Sequence, residues 1–156
     1  MVESLIPVLA GAIAAATPLI FAGLGELIAE RTGVINLGVE GMMLTGAIAG
    51  VAAAADTGYG AAIGLPVGAI AGAATAMIFA FFALSLAANQ AACGLALTIF
   101  GIGLSAFVGQ HYVSYSLPGL QPVVVPLLSD IPLLGPVLFK QDWVVYLSLA
   151  AFALVA

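Results

Sequence analysis

Long apolar runs separated by short polar breaks dominate this chain, and about 20 such residues are enough to cross a bilayer as a helix. The second run has no sharp start and begins between Gly33 and Gly41. The pattern therefore predicts an all-α, polytopic membrane helical bundle with about four full transmembrane helices and the start of a fifth. The predicted segments cover residues 5–25, 34–55, 60–88, 91–109 and 143–156.

The fifth segment, residues 143–156, is too short to cross the hydrocarbon core, and no polar residue closes it. We therefore expect this chain to be the N-terminal part of a longer protein. A short re-entrant segment at the end of the chain is the alternative.

Residues 111–142 form the one long stretch that the pattern leaves outside the membrane. Five prolines lie in it, and proline interrupts regular helix. Tyr112, Tyr115 and Trp143 flank it, as aromatic side chains do at a membrane–water interface. We expect a surface loop or short broken elements that either dock a partner protein or simply cap the membrane segments.

Arg31 and Lys140 are the two cationic residues that can indicate orientation. Five crossings would place them on opposite sides, and the bias of positive charge toward the cytoplasm counts most in short loops. We therefore expect Arg31 on the cytoplasmic side and residues 111–142 outside.

Glycines recur at every fourth position along the third segment, which places them on one helix face. In lipid there is little hydrophobic drive between helices, so small residues that allow close backbone approach are the common packing device. The sequence thus predicts a helix-packing face formed by Gly60, Gly64, Gly68 and Gly72.

The composition identifies lipid as the main solvent of the chain. Hydrophobic residues make up 64% and charged residues 6%, whereas soluble domains contain about 25% charged residues. With two cationic residues and a net charge of −5, the chain has no basic patch for nucleic acid. Cys93 is the single cysteine, so it cannot form an internal disulfide.

Within this apolar background, residues 30–44 carry Asn36 and Glu40 toward the membrane. On a helix these two side chains would share a face, since they are four residues apart. A carboxylate at the bilayer centre costs about 2.5–3.5 kcal/mol on insertion scales, so we do not expect Glu40 to face lipid. It would line a polar substrate path, act as a buried partner that caps a broken helix, or lie at the interface.

Asn89 and Gln90 occupy the tight break between the third and fourth segments. A turn is one interpretation of this pair, and contact with a substrate is the other. The candidate substrate-path residues are therefore Asn36, Glu40, Asn89 and Gln90.

No catalytic constellation is apparent in the sequence. A phosphate-binding loop would need Lys where Val39 stands, and His111 has no second ligand at metal-binding spacing. We therefore predict a chain that is not an enzyme, with no catalytic residue, no metal site and no cofactor of its own. Active transport would draw its energy from a partner.

Three stretches together resemble a known family. They are ERTGVINLGVEGMML at 30–44, NQAACGLALTIFG at 89–101 and LLGPVLF at 133–139. They resemble blocks of the permease subunits of bacterial ATP-binding-cassette (ABC) importers, in the group that includes simple-sugar, branched-chain amino acid and nucleoside permeases. The similarity is nearest to the nucleoside type, and the blocks occur in the order found in that family.

The resemblance implies a multi-pass protein of the bacterial cytoplasmic membrane, in which residues 1–156 are the N-terminal part of one transmembrane permease domain. Such permeases are about twice this length. Their implied partners are a second permease subunit, cytoplasmic ATPase subunits that hydrolyse the ATP, an extracytoplasmic substrate-binding protein and membrane lipid.

The implied function is a translocation path for a small polar solute, and we expect nucleosides. Simple sugars or branched-chain amino acids are the alternative within the group. An ion-coupled secondary transporter that uses Glu40, or a purely structural membrane subunit, is the alternative outside it.

Overall fold

The computed structural model describes residues 2–124, 129, 131 and 134–155. Of the surface loop predicted at 111–142, positions 125–128, 130, 132 and 133 therefore lie outside the described residues, and they include the first residue of the third family-like block. Helices account for 76% of the described residues.

Four helices in the described part of the chain are long and apolar enough to cross a membrane, and a shorter apolar helix follows them. This confirms the predicted all-α, polytopic architecture with four spans and a shorter fifth segment. The helices are α1 (Val2–Arg31), α2 (Val39–Thr57), α3 (Ala61–Ala80), α4 (Gln90–Gly109), α5 (Leu134–Leu138) and α6 (Trp143–Val155). Two short strands, β1 (Val123–Val124) and β2 (Lys140–Gln141), pair antiparallel.

Helix α1 continues past residue 25 to Arg31, although Pro7 and Pro18 lie within it. Proline is tolerated in membrane helices, where local adjustments and neighbouring groups satisfy the freed backbone. The buried Thr17 hydroxyl donates to the Ile13 carbonyl at 3.2 Å, one residue before the Ala14 carbonyl that Pro18 deprives of its helical amide donor. The helix continues through both prolines.

The chain divides into two compact units, a central unit (Ile28–Gly119) and a terminal unit (Met1–Leu27 with Leu120–Ala156). In the terminal unit, the buried Gln141 amide donates to the carbonyls of Ala10 and Val137, at 3.2 and 2.7 Å. Asp142 begins α6, because its carboxylate accepts the amides of Val144 and Val145.

In the central unit, α2 and α3 cross with their backbones almost in contact. A Cβ atom placed on Gly68 would lie 2.8 Å from the Gly46 carbonyl oxygen, and one on Gly64 would lie 2.8 Å from that of Gly50. These two members of the predicted packing face thus permit an approach that a side chain would prevent. The contact at Gly72 is less close, since a Cβ placed there would lie 3.5 Å from the Met42 carbonyl oxygen.

Gly60 lies outside the packed helix. It precedes α3 as the N-cap residue, with φ +55°, and a Cβ placed on it would meet no atom closer than Pro118 Cγ, at 4.0 Å. The positive φ follows from the sharp return between α2 and α3, which glycine accepts without steric cost. The four-residue spacing of the glycines therefore includes a residue of the turn before α3, whereas the helix itself begins only at Ala61.

Helix α3 ends in a wider turn. Residues Phe81–Ser85 form a π-helical turn, and Ala87 has a positive φ of 49°, which is unusual for a residue with a Cβ. Phe79 and Ala83 pack there with Leu97 of α4 in the small buried cluster of this unit. The turn brings the start of α4 back beside the start of α2.

The far end of α2 is tied to the segment after α4. The Tyr112 hydroxyl donates to the Asp56 carboxylate at 2.9 Å, and this bond raises the pKa of the Tyr112 phenol above its ordinary value of 10.0. The phenol therefore stays protonated, and the bond stays available, throughout the neutral pH range.

We predict that Gly68→Ala destabilises the protein, whereas Gly103→Ala does not. The new methyl group at position 68 would collide with backbone that cannot rotate away, and overpacking of this kind costs about 1–3 kcal/mol. Gly103 is also in a helix, but a Cβ there meets nothing within 4 Å. Thermal unfolding of the two variants in detergent measures the difference, and equal melting temperatures would contradict the packing argument.

Candidate functional site

The candidate site is the non-helical link between α1 and α2, residues 32–38. Helix α1 ends where Gly33 adopts φ +81°, and the Val34 amide donates to the Ala29 carbonyl at 3.1 Å. The Asn36 side-chain oxygen accepts the Gly38 amide at 3.0 Å. Such a local side-chain bond offers the backbone an alternative to helix, so the chain runs unwound until α2 begins at Val39.

Two side chains of α4 bond to the backbone of this link. The Ile35 amide donates to the Gln90 side-chain oxygen at 2.8 Å, and the Thr98 hydroxyl donates to the Leu37 carbonyl at 2.9 Å. A backbone that leaves the helix inside a membrane protein must find polar partners within the protein. Gln90 and Thr98 supply one acceptor and one donor for that purpose.

Glycine contacts hold the link against the same face of α4. A Cβ atom on Gly94 would lie 2.8 Å from the amide nitrogens of Leu37 and Gly38. One on Gly101 would lie 2.6 Å from the Gly41 oxygen, one turn into α2. The link and the start of α2 therefore rest directly on the α4 backbone.

Asn36 and Glu40 do not share a helix face, which corrects the expectation from their spacing. Asn36 belongs to the unwound link, and only Glu40 belongs to α2. The reason is the combination of the left-handed Gly33 with the Asn36–Gly38 bond, because both delay the start of the helix.

Glu40 is the second residue of α2 and is exposed. Among the residues that the structure describes, it has no hydrogen-bond or ion-pair partner, so a buried capping contact is not formed there. A carboxylate in the first turn is stabilised by the positive end of the helix dipole, particularly where the N-cap, Gly38, has no side chain. Its oxygens remain available to accept hydrogen bonds from a polar solute.

Asn89 and Gln90 both use their side-chain oxygens on backbone amides. Asn89 is the N-cap of α4 and accepts the Ala92 amide at 3.0 Å. Gln90, the next residue, accepts from Ile35, as described above. The structure therefore gives this pair roles in starting α4 and in holding the link, and brings Gln90 close to the residues preceding Glu40.

Thr98 is the site residue that sequence reasoning missed. Its signal is spacing: Gln90, Gly94 and Thr98 are four residues apart and thus share one face of a helix. Two polar residues with a glycine between them on one face of an otherwise apolar helix indicate that this face contacts the backbone of another segment. The contacts themselves join residues 55 and 61 positions apart, so local pattern could not name the partners.

No group of three or more metal-ligating side chains occurs within the described residues. The site offers hydrogen bonding and one carboxylate.

Comparison with known proteins shows which family the chain matches. Residues 8–156 match the family described as the permease component of the branched-chain amino acid transport system. No solved structure matches the chain.

Three curated relatives are similar to the chain over about nine-tenths of its length. A putative glucose ABC transporter permease of Haloferax volcanii is 44% identical over 90% of this chain and 44% of its own. A guanosine ABC transporter permease of Bacillus subtilis is 34% identical over 89% of this chain and 46% of its own. A nucleoside ABC transporter permease of Lactococcus lactis is 29% identical over 90% of this chain and 47% of its own. The chain thus spans a little under half the length of these relatives.

We predict that Thr98→Val destabilises the protein by about 1–3 kcal/mol, since it keeps the side-chain shape but leaves the Leu37 carbonyl without its donor. Thr98→Ser keeps the hydroxyl and is the matched control. Chemical or thermal unfolding in detergent measures both variants. If the valine variant were as stable as the serine variant, Thr98 would not hold the link.

Proposed function

This chain belongs to the branched-chain amino acid transport permease family, in the ABC permease group that also serves sugars and nucleosides, and we propose that it lines the solute path of an importer for nucleosides. It is a multi-pass protein of the cytoplasmic membrane, which agrees with its four membrane-length helices. The family match over residues 8–156 is the observation that carries the transport role.

The proposed path passes the start of α2. Glu40 is exposed at that point, and a carboxylate turned toward hydrocarbon would be costly. In our proposal the Glu40 carboxylate accepts a hydrogen bond from a solute hydroxyl, while Gln90 and Thr98 keep the link in place behind it. Asn36 and Asn89 shape the backbone on either side and position the link.

Nucleosides are supported by the names of two relatives, the guanosine and nucleoside permeases. Glucose or another simple sugar is the second candidate, and it is supported by the 44% identity to the putative glucose permease. The two solute classes share sugar hydroxyls, so one carboxylate at the path is compatible with both. Nucleosides also carry a base, so binding measurements that compare nucleosides with free sugars distinguish the two classes.

The importer requires partners in this proposal. A second permease subunit completes the path, and cytoplasmic ATPase subunits hydrolyse ATP and drive the change between outward-open and inward-open states. An extracytoplasmic binding protein delivers the solute. This chain binds no cofactor itself, and Arg31 lies on the cytoplasmic side.

We predict that the binding protein encoded beside this permease binds nucleosides in the micromolar range or tighter and binds glucose much more weakly. Isothermal titration with four nucleosides, ribose and glucose provides the measurement. Glucose binding without nucleoside binding would replace the first candidate by the second. The absence of an adjacent ATPase gene, together with uptake that follows a proton gradient, would reject the importer.

We further predict that Glu40→Gln lowers uptake by about tenfold or more, because a hydrogen bond to a charged group contributes about 1.5–3 kcal/mol and a factor of ten corresponds to 1.4 kcal/mol. The variant should assemble normally in the membrane. Glu30→Gln is the matched control, since it neutralises another exposed acid at the end of α1. Uptake at the control level by Glu40→Gln would remove Glu40 from the path.

A further inference from the structure

Three aromatic side chains form a cluster at the end of α2 that lies opposite Glu40. This aromatic cluster consists of His111, Tyr112 and Tyr115, in the segment that follows α4. The ring centroids of His111 and Tyr112 lie 5.1 Å apart with the planes at 85°, and those of Tyr112 and Tyr115 lie 5.9 Å apart with the planes at 56°. No two of these rings stack face to face. Tyr115, at one end of the series, is 55% exposed.

Hydrogen bonds hold the aromatic cluster in place and join it to a carboxylate. The amides of Tyr112 and Tyr115 donate to the carbonyls of Gly109 and Tyr112, at 2.9 and 3.0 Å. The Tyr112 hydroxyl donates to Asp56 Oδ2 at 2.9 Å. Asp56 is exposed, and within the described residues its other oxygen, Oδ1, accepts no hydrogen bond. Tyr112 therefore connects a carboxylate that can accept a further bond to a ring with an accessible surface.

The length of α2 separates this cluster from Glu40 by about one membrane thickness. The helix has 19 residues, which corresponds to about 28 Å at a rise of about 1.5 Å per residue. Glu40 is its second residue and Asp56 is its next-to-last. In the orientation proposed above, with Arg31 on the cytoplasmic side, Asp56 and the aromatic cluster lie on the outer side, where the solute arrives.

We propose that the aromatic cluster and Asp56 form an outer binding site for a nucleoside, in which the base stacks on the ring of Tyr115 and the Asp56 carboxylate accepts a hydrogen bond from a ribose hydroxyl. The identity of this ligand rests on the proposed import of nucleosides. Tyrosine and histidine rings stack well on nucleobases, because every base has a π-face. A nucleoside carries a base and sugar hydroxyls in one molecule, whereas a free sugar has no base to stack on the ring.

The grouping of the rings around a carboxylate favours a binding site over a membrane anchor. Tyrosines that anchor a protein at the membrane interface need an apolar ring and a hydrated hydroxyl, and they need no carboxylate partner. Tyr59, three residues after Asp56, has these anchor features: it is 73% exposed and has no ring contact within the described residues. It therefore provides a matched control from the same end of α2.

Saturation-transfer difference NMR on the full-length permease in lipid nanodiscs, without the binding protein, tests the proposal. Adenosine, ribose and glucose are titrated against the wild type and the variants Tyr115→Leu, Tyr115→Phe and Tyr59→Leu. We expect Tyr115→Leu to raise the dissociation constant of adenosine about tenfold, which lies within the range that stacking on one aromatic side chain contributes per base. Tyr115→Phe keeps the ring, so it should bind adenosine as the wild type does, and so should Tyr59→Leu.

The carboxylate is tested in the same way with Asp56→Asn. Asparagine keeps an oxygen that can accept the Tyr112 hydroxyl but removes the charge, and hydrogen bonds to charged groups are the stronger ones. We expect several-fold weaker binding of adenosine. Unchanged binding by this variant would remove Asp56 from the site.

Other results would overturn the outer site. Equal dissociation constants for Tyr115→Leu and Tyr59→Leu would identify the aromatic cluster as a membrane anchor. A loss in Tyr115→Phe as large as that in Tyr115→Leu would assign the contact to the hydroxyl and reject stacking. Ribose or glucose binding as tight as adenosine binding would show that the base is not recognised, and no adenosine binding by the wild type would reject the site.

Uptake by the complete importer is measured separately, so the two proposals can fail independently. Nucleoside uptake together with any of these contrary binding results rejects the outer site alone. Adenosine binding that depends on Tyr115, in a protein that imports no nucleoside, rejects the proposed import and retains the site.

Discussion

The structure of the central unit depends on one constraint: a backbone that leaves the helix in a membrane protein must have its polar groups satisfied by the protein. The link at residues 32–38 meets this constraint through Asn36 within the link and through Gln90 and Thr98 on α4. Because the partners lie on one helix face, the link is fixed to α4 along its length. The start of α2, and with it Glu40, is positioned by that attachment.

Glycines make the attachment possible, and they do so through the space they leave. Gly94 and Gly101 let the link and the start of α2 reach the α4 backbone, while Gly64 and Gly68 let α3 reach α2. Without much hydrophobic drive between helices in lipid, contact at this range is a main source of helix association. The three helices are therefore joined by backbone contact on two sides of α2.

The sequence was sufficient to predict the membrane segments and the all-α class, since these follow from hydrophobicity and length alone. It was also sufficient to predict the family, because residues 30–44 and 89–101 carry enough of its pattern. It could not predict that Asn36 lies outside α2, because a side-chain bond over two residues overrode helical spacing. Nor could it assign Gln90 to Ile35, since their contact depends on how α3 returns the chain to α2.

The bonds between the link and α4 also set an order of events during synthesis. Gln90 and Thr98 are made more than 50 residues after Ile35 and Leu37, which they serve. Until the fourth helix emerges from the ribosome, the nascent link has neither of these partners and must satisfy those backbone groups with water or with the translocation machinery. The α2–α3 hairpin has its glycine contacts earlier, as soon as α3 is complete. The hairpin can therefore form before α4 is made, whereas the link gains these partners only when α4 packs beside it.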